Sequence, residues 1–246
     1  IMYRAEQISI ELSQIFIWTT PDPYIAATGT GDALELFGQN LQNNYSGRLA
    51  HLLSTRNLGG GLAWIDVLCS NYFTFMADFD GDGADELHHA GPYGVSAIDV
   101  TFSNVPTYSW SVMVVTHELG HNFGSPHTHA CSWNGDNTQI DDCGNSAGGG
   151  DGVFDGDDDG VDDDGCFNPF ANPPQVRIIP AGGGTVMSYC HQNAVGINMA
   201  FGFGQQPGDL IRGRVAGAAC LSSECSCDAF TNRVINDNPI ASAIYT

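Results

Sequence analysis

The chain has 246 residues, enough for one large domain or two small ones with a substantial core. Only 14% of the residues are charged, with 28 acidic side chains against 7 basic ones, all of them Arg, for a net charge of -21. So few cations exclude nucleic-acid binding and disfavour anionic membranes, and no apolar run is long enough to span a bilayer as a helix.

In chain order, residues 8–18 have strand composition and end at the Pro21-Asp22-Pro23 turn. Leu34, Phe37, Leu41, Tyr45, Leu49 and Leu52 carry helical spacing and predict a helix over 31–53. A glycine triplet at 59–61 introduces a predicted strand over 62–68, and 94–102 reads as another. Residues 109–122 predict a helix. Residues 124–184 are mostly Gly, Asn, Asp and Pro, too long an irregular stretch for packing alone to hold, so disulfides and metal are the expected ties. A last helix is predicted near 205–219. None of the glycine triplets is a phosphate loop, because that motif needs a Lys.

The acidic residues cluster twice. Asp78, Asp80, Asp82, Ala84 and Glu86 form one D-x-D-x-D-G-x-x-[D/E] run, and Asp155, Asp157, Asp159, Val161 and Asp163 form a second. Carboxylates at positions 1, 3, 5 and 9 with a carbonyl at 7 suit calcium. Position 12 holds His89 and Cys166, so neither loop is an EF-hand; both resemble the short calcium loops of dockerin, thrombospondin type 3 and integrin-type repeats. The alternative is a solvated acidic loop that raises solubility.

The eight Cys are spread and even in number, with no C-x-x-C pair. That pattern points to disulfides in an oxidising compartment, hence a secreted protein.

The strongest chemical signal is His117-Glu118-Leu119-Gly120-His121-Asn122-Phe123-Gly124-Ser125-Pro126-His127. Residues four apart share a helix face, so His117 and His121 can bind one zinc. Gly124 can adopt positive φ and end the helix, returning the chain so that His127 reaches the same ion. Three protein ligands leave a fourth position for water, as in catalytic zinc sites. Glu118 is placed to take the proton of that water. His129, two after His127, is within reach of the cleft but is expected at the surface, and His51 in a structural role; His88, His89 and His191 have no assigned partner.

This eleven-residue motif resembles that of the metzincin metalloproteases. Gly184-Thr185-Val186-Met187-Ser188-Tyr189 is similar to their Met-turn, with Met187 as the floor beneath the zinc. Residues 52–64 resemble the approach to the edge strand in the reprolysin (adamalysin-like) branch, and the likeness covers roughly residues 8–220. It implies an α/β (α+β) fold: a mixed, mostly parallel sheet, an active-site helix near 109–123, the Met-turn and a loop-rich C-terminal subdomain. It also implies a protein or peptide substrate paired along Gly61, Leu62, Ala63 and Trp64, with Val195 and Ile197 on the primed-side wall.

Several departures refine the likeness. Thr128 stands where the reprolysin branch has Asp. Met187-Ser188-Tyr189 is closer to the astacin and serralysin turn, which makes Tyr189 a candidate zinc ligand or oxyanion donor. The family's first strand and long helix are missing before Ile8, so a separately supplied N-terminal segment or a propeptide is an expected partner. Residues 1–221 are assigned to the catalytic domain, with an acidic insert at 143–166, and 222–246 to a tail or linker. The resemblance and the spacing suggest bridges Cys69–Cys220, Cys131–Cys190 and Cys143–Cys166. The resulting expectation is a secreted zinc endopeptidase. The rival readings are a calcium-binding adhesion or binding module with an inactive site, and a zinc hydrolase of non-peptide amides.

Overall fold

The computed structural model describes residues 2–79, 83–99, 108–144, 166–167 and 175–221, and the strand backbone of 232–236 and 244–245. In chain order the elements are α1 (Met2–Ala5), β1 (Ile15–Ile17), α2 (Thr30–Leu41), β2 (Ala50–Ser54), β3 (Gly61–Ala63), β4 (Phe73–Ala77), β5 (Glu86–Ala90), β6 (Tyr93–Ala97), α3 (Trp110–Asn122), α4 (Gln205–Gly217), β7 (Asn232–Asn236) and β8 (Ile244–Tyr245).

The sheet that positions the site runs β2-β6-β3. It is mixed: β2 pairs with β6 in parallel, and β3 pairs with β6 antiparallel, Gly61 lying opposite Ser96. Alternate residues of a strand face opposite sides. Tyr93, Val95 and Ala97 enter a core with Ala33, Leu34 and Phe37, the apolar stripe of α2. Gly61 and Ser96 belong to the other side, where α3 packs: a Cβ at Gly61 would collide with Glu118 of that helix. A second core lies beyond α3 and contains Tyr3, Phe123, Met187, Phe203 and Ile211. α3 is therefore buried on nearly every side, from Met113 to Asn122. Its start is capped by Ser109, whose Oγ accepts from Val112 N at 3.4 Å.

The predicted helix over 31–53 stops at Leu41. Gln42 has φ 47° and its N–H caps Gly38 O, and residues 50–54 are strand β2. Tyr45 and Leu52 still reach the α2 core, which is why their spacing mimicked one continued helix. The long strand expected over 8–18 shortens to Ile15–Ile17, and most of its apolar residues are exposed. The strand expected over 62–68 is Gly61–Ala63, because Asp66 takes φ 56° and its N–H bonds His121 O at 2.9 Å. The strand expected over 94–102 is Tyr93–Ala97.

A hairpin unseen in the sequence, β4–β5, carries the first acidic run at its turn. Asp78 Oδ2 there accepts from Gly83 N at 2.7 Å; Asp80 and Asp82 lie outside the described residues, as do Asp155, Asp157, Asp159, Val161 and Asp163. In the segment read as a tail or linker, β7 pairs in parallel with β1 and antiparallel with β8.

Three disulfides are present among the described residues. Cys69–Cys220 is the bridge that was expected. The other two exchange partners: Cys143 joins Cys190, and Cys131 joins Cys166, in place of Cys131–Cys190 and Cys143–Cys166. The reason is local. Cys143 is fully buried beside Cys190, and its carbonyl accepts from Asn193 Nδ2 at 2.9 Å. Cys166 instead runs beside the chain that follows His127, its N–H bonding His129 O at 3.2 Å.

Candidate metal centre

His117 and His121 project from the same face of α3, one turn apart. Gly124, at φ 91°, reverses the chain, and Ser125 N bonds back to Gly120 O at 3.0 Å. His127 is thereby returned to the helix. The Nε2 atoms of His117 and His121 are 3.0 Å apart, those of His121 and His127 3.0 Å, and those of His127 and His117 3.1 Å. All three side chains are buried.

The protonation pattern fits a cation. His117 Nδ1 donates to Val186 O at 2.7 Å, and His121 Nδ1 donates to Ser125 O at 2.7 Å. In the neutral ring this leaves the Nε2 lone pair bare. Burial, reinforced by the neighbouring imidazoles, holds His117 and His127 well below the usual histidine range. Neutral nitrogens converging this closely have no proton to share, and a divalent ion resolves them. Four tetrahedral ligands at zinc–nitrogen distances would lie about 3.3 Å apart, close to the spacing seen.

Residues 184–189 pack against α3. Met187 is fully buried, and a Cβ at Gly120 would lie 2.6 Å from its Sδ, so only glycine permits the turn to approach the helix here. Thr128, in the place of the branch's Asp, ties the loop to that turn: its N–H bonds Met187 O at 3.1 Å. Tyr189 follows, its ring centroid 4.4 Å from that of His127 and 5.9 Å from that of His117.

Glu118 is buried, and burial pushes its carboxyl well above the usual range. A Cβ at Gly61 would lie 2.2 Å from its Oε1, which places this carboxylate directly under the edge strand. Leu62, Ala63 and Trp64 continue that edge; the backbone of Trp64 is held by Tyr93 O and by Asn122 Nδ2, at 3.2 and 2.8 Å. Ile197 forms a parallel bridge with Gly184 ahead of the Met-turn, and Val195 is 37% exposed beside it.

Two residues escaped the sequence reading. Asn122 is fully buried, and Nδ2 also bonds Tyr93 O at 2.9 Å, riveting the helix to the sheet. His129, expected at the surface, is 1% exposed and stacks on His127. No periodicity marks it, since it follows the turn. The run of ring and donor residues in His127-Thr128-His129 through Trp133, whose Nε1 donates to His127 O at 2.7 Å, was the available signal.

The family model for metallo-peptidase family M12, of the reprolysin type, matches residues 1–199. With the mixed α/β fold and the converging histidines of the H-E-x-x-H helix, the chain belongs to metallo-peptidase family M12.

Proposed function

We propose that the protein is a secreted zinc endopeptidase in which Glu118 is the general base. The observation that carries this reading is the convergence of His117, His121 and His127 beside a buried carboxylate under β3, the outer strand of the sheet among the described residues. Zinc held by the three histidines would polarise a scissile carbonyl and lower the pKa of a water toward ~7.

The remaining work belongs to the chain. β3 is the outer strand of its sheet, so an extended peptide can pair along Gly61–Trp64 as an added strand. That pairing brings the scissile bond over Glu118. The carboxylate accepts a proton from the attacking water and delivers it to the leaving amine. Burial makes it more basic than a free carboxylate. Tyr189, packed against His127, is the proposed donor to the developing oxyanion. Val195 and Ile197 supply an apolar primed-side wall, which favours a hydrophobic side chain there.

Residues 1–221 form the catalytic domain in this reading. Calcium is assigned to the two acidic runs to relieve their self-repulsion. Secretion is supported by the three disulfides, and no described helix is long and apolar enough to cross a membrane.

Casein cleavage tests the proposal. The wild-type protein should cleave, a zinc chelator should stop it, and Glu118→Ala should lose about 10²–10⁴-fold in kcat while keeping its zinc. A zinc-loaded wild-type protein inert toward casein and peptide libraries would contradict the endopeptidase reading.

A further inference from the structure

The three candidate ligands are not oriented alike. Metal-binding histidines almost always give their second ring N–H to a carbonyl or carboxylate, which fixes the ring. His117 and His121 do so, through Val186 O and Ser125 O. His127 does not: no described residue makes a hydrogen bond to its Nδ1. Its backbone is held, since Trp133 Nε1 donates to its carbonyl, but that leaves the ring free to turn about its side-chain bonds.

Ring contacts take the place of the missing bond. His129 lies nearly parallel to His127, with centroids 4.9 Å apart and planes 13° from one another. Tyr189 packs against both rings, 4.4 Å from His127 and 5.0 Å from His129. His129 is itself immobilised. It is 1% exposed, and Gly144 presses so closely on it that a Cβ there would lie 2.4 Å from both Cε1 and Nδ1. Gly144 follows Cys143, whose bridge to Cys190 joins it to the chain carrying Tyr189. The backbone of His129 is pinned from the other bridge, by Cys166 N at 3.2 Å.

We propose that His129 is a positioning residue that orients the third metal ligand, His127, by ring stacking within a disulfide-clamped pocket. It touches neither substrate nor metal. What it supplies is a flat, fixed wall that removes the rotation a hydrogen bond would otherwise stop. The inference rests on the reading that the three histidines hold zinc.

The test compares wild type, His129→Ala, His129→Phe and Gly144→Ala. Zinc dissociation constants are measured by chelator competition, and the visible spectrum of the cobalt-substituted protein reports ligand geometry. Thermal unfolding of each metal-free protein separates folding from metal binding. His129→Ala should bind zinc 10–100-fold more weakly, the range for loss of a ligand's supporting contact, with an altered cobalt spectrum. His129→Phe keeps the ring plane and should recover most of the affinity. Gly144→Ala drives a methyl into the His129 ring and should weaken zinc binding while every ligand remains; it carries the test if His129→Ala does not fold. Wild-type affinity in His129→Ala, or a Phe variant as weak as the Ala variant, would overturn the proposal and leave the zinc site standing. A wild-type protein that takes up no zinc would instead overturn the reading beneath it.

Discussion

His117 and His121 sit on a helix wedged between a sheet and an apolar core, whereas His127 stands on chain without regular structure. On the helix side the backbone supplies the order: 3.6-residue periodicity aligns two imidazoles, Asn122 rivets the helix to β6 and to Trp64 just past β3, and carbonyls fix both Nδ1 atoms. On the loop side there is no ladder to supply partners. Cystines hold the chain, and stacked rings hold the ligand. A metal centre needs all its donors placed to a fraction of an ångström, so the irregular side must reach the same precision by covalent ties and aromatic packing.

The largest expected effect breaks the loop side alone. Replacing Cys143 and Cys190 together by Ala should cost about 2–4 kcal/mol in denaturant unfolding and weaken zinc binding as well. Removing Cys69–Cys220, which closes a longer loop and does not tie the chain after His127, should cost stability and leave zinc affinity unchanged. Equal zinc losses in the two variants would erase the contrast.

The sheet side carries a pH signature. His51 on β2 bonds Ser96 Oγ at 2.8 Å, its Nδ1 is buried without a described partner, and burial lowers its pKa to about 4. The unfolded chain, near 6.5, binds the proton more readily. The neutral ring's stability is thus complete above about pH 6.5 and lost as pH falls toward 4, a change of up to ~3 kcal/mol. Unfolding of the metal-free protein between pH 7 and 4 should show this slope, and His51→Gln should make it shallower, leaving the part that the buried His117 and His127 contribute. An unchanged slope in the variant would place the titration elsewhere.

A smaller effect probes the seam between strand and helix. Gly61→Ala puts a methyl on Glu118, so kcat should fall by up to about 10²-fold with zinc content unchanged. Unaltered kcat would mean that Glu118 is not confined by the edge strand.

The same division explains what the sequence reveals. The zinc motif is legible because helical spacing and a turn glycine are local rules, and the helices at 110–122 and 205–217 follow from local patterns too. Tyr45 and Leu52 misled because the connection after α2 and strand β2 delivered them to the core at helix-like intervals. The bridges of Cys131, Cys143, Cys166 and Cys190 were mispaired because loop closure has no local signature, and eight cysteines allow 105 connectivities. The burial of His129 depends on that same closure, through Gly144 and Cys166, so neighbouring residues do not announce it.

The most direct test of the account is zinc-edge X-ray absorption on the metal-loaded protein, combined with metal stoichiometry. One zinc per chain, bound by three imidazole nitrogens at about 2.0–2.1 Å and an oxygen, is the predicted result. A sulfur neighbour, fewer than three imidazoles, or no zinc after reconstitution would contradict it.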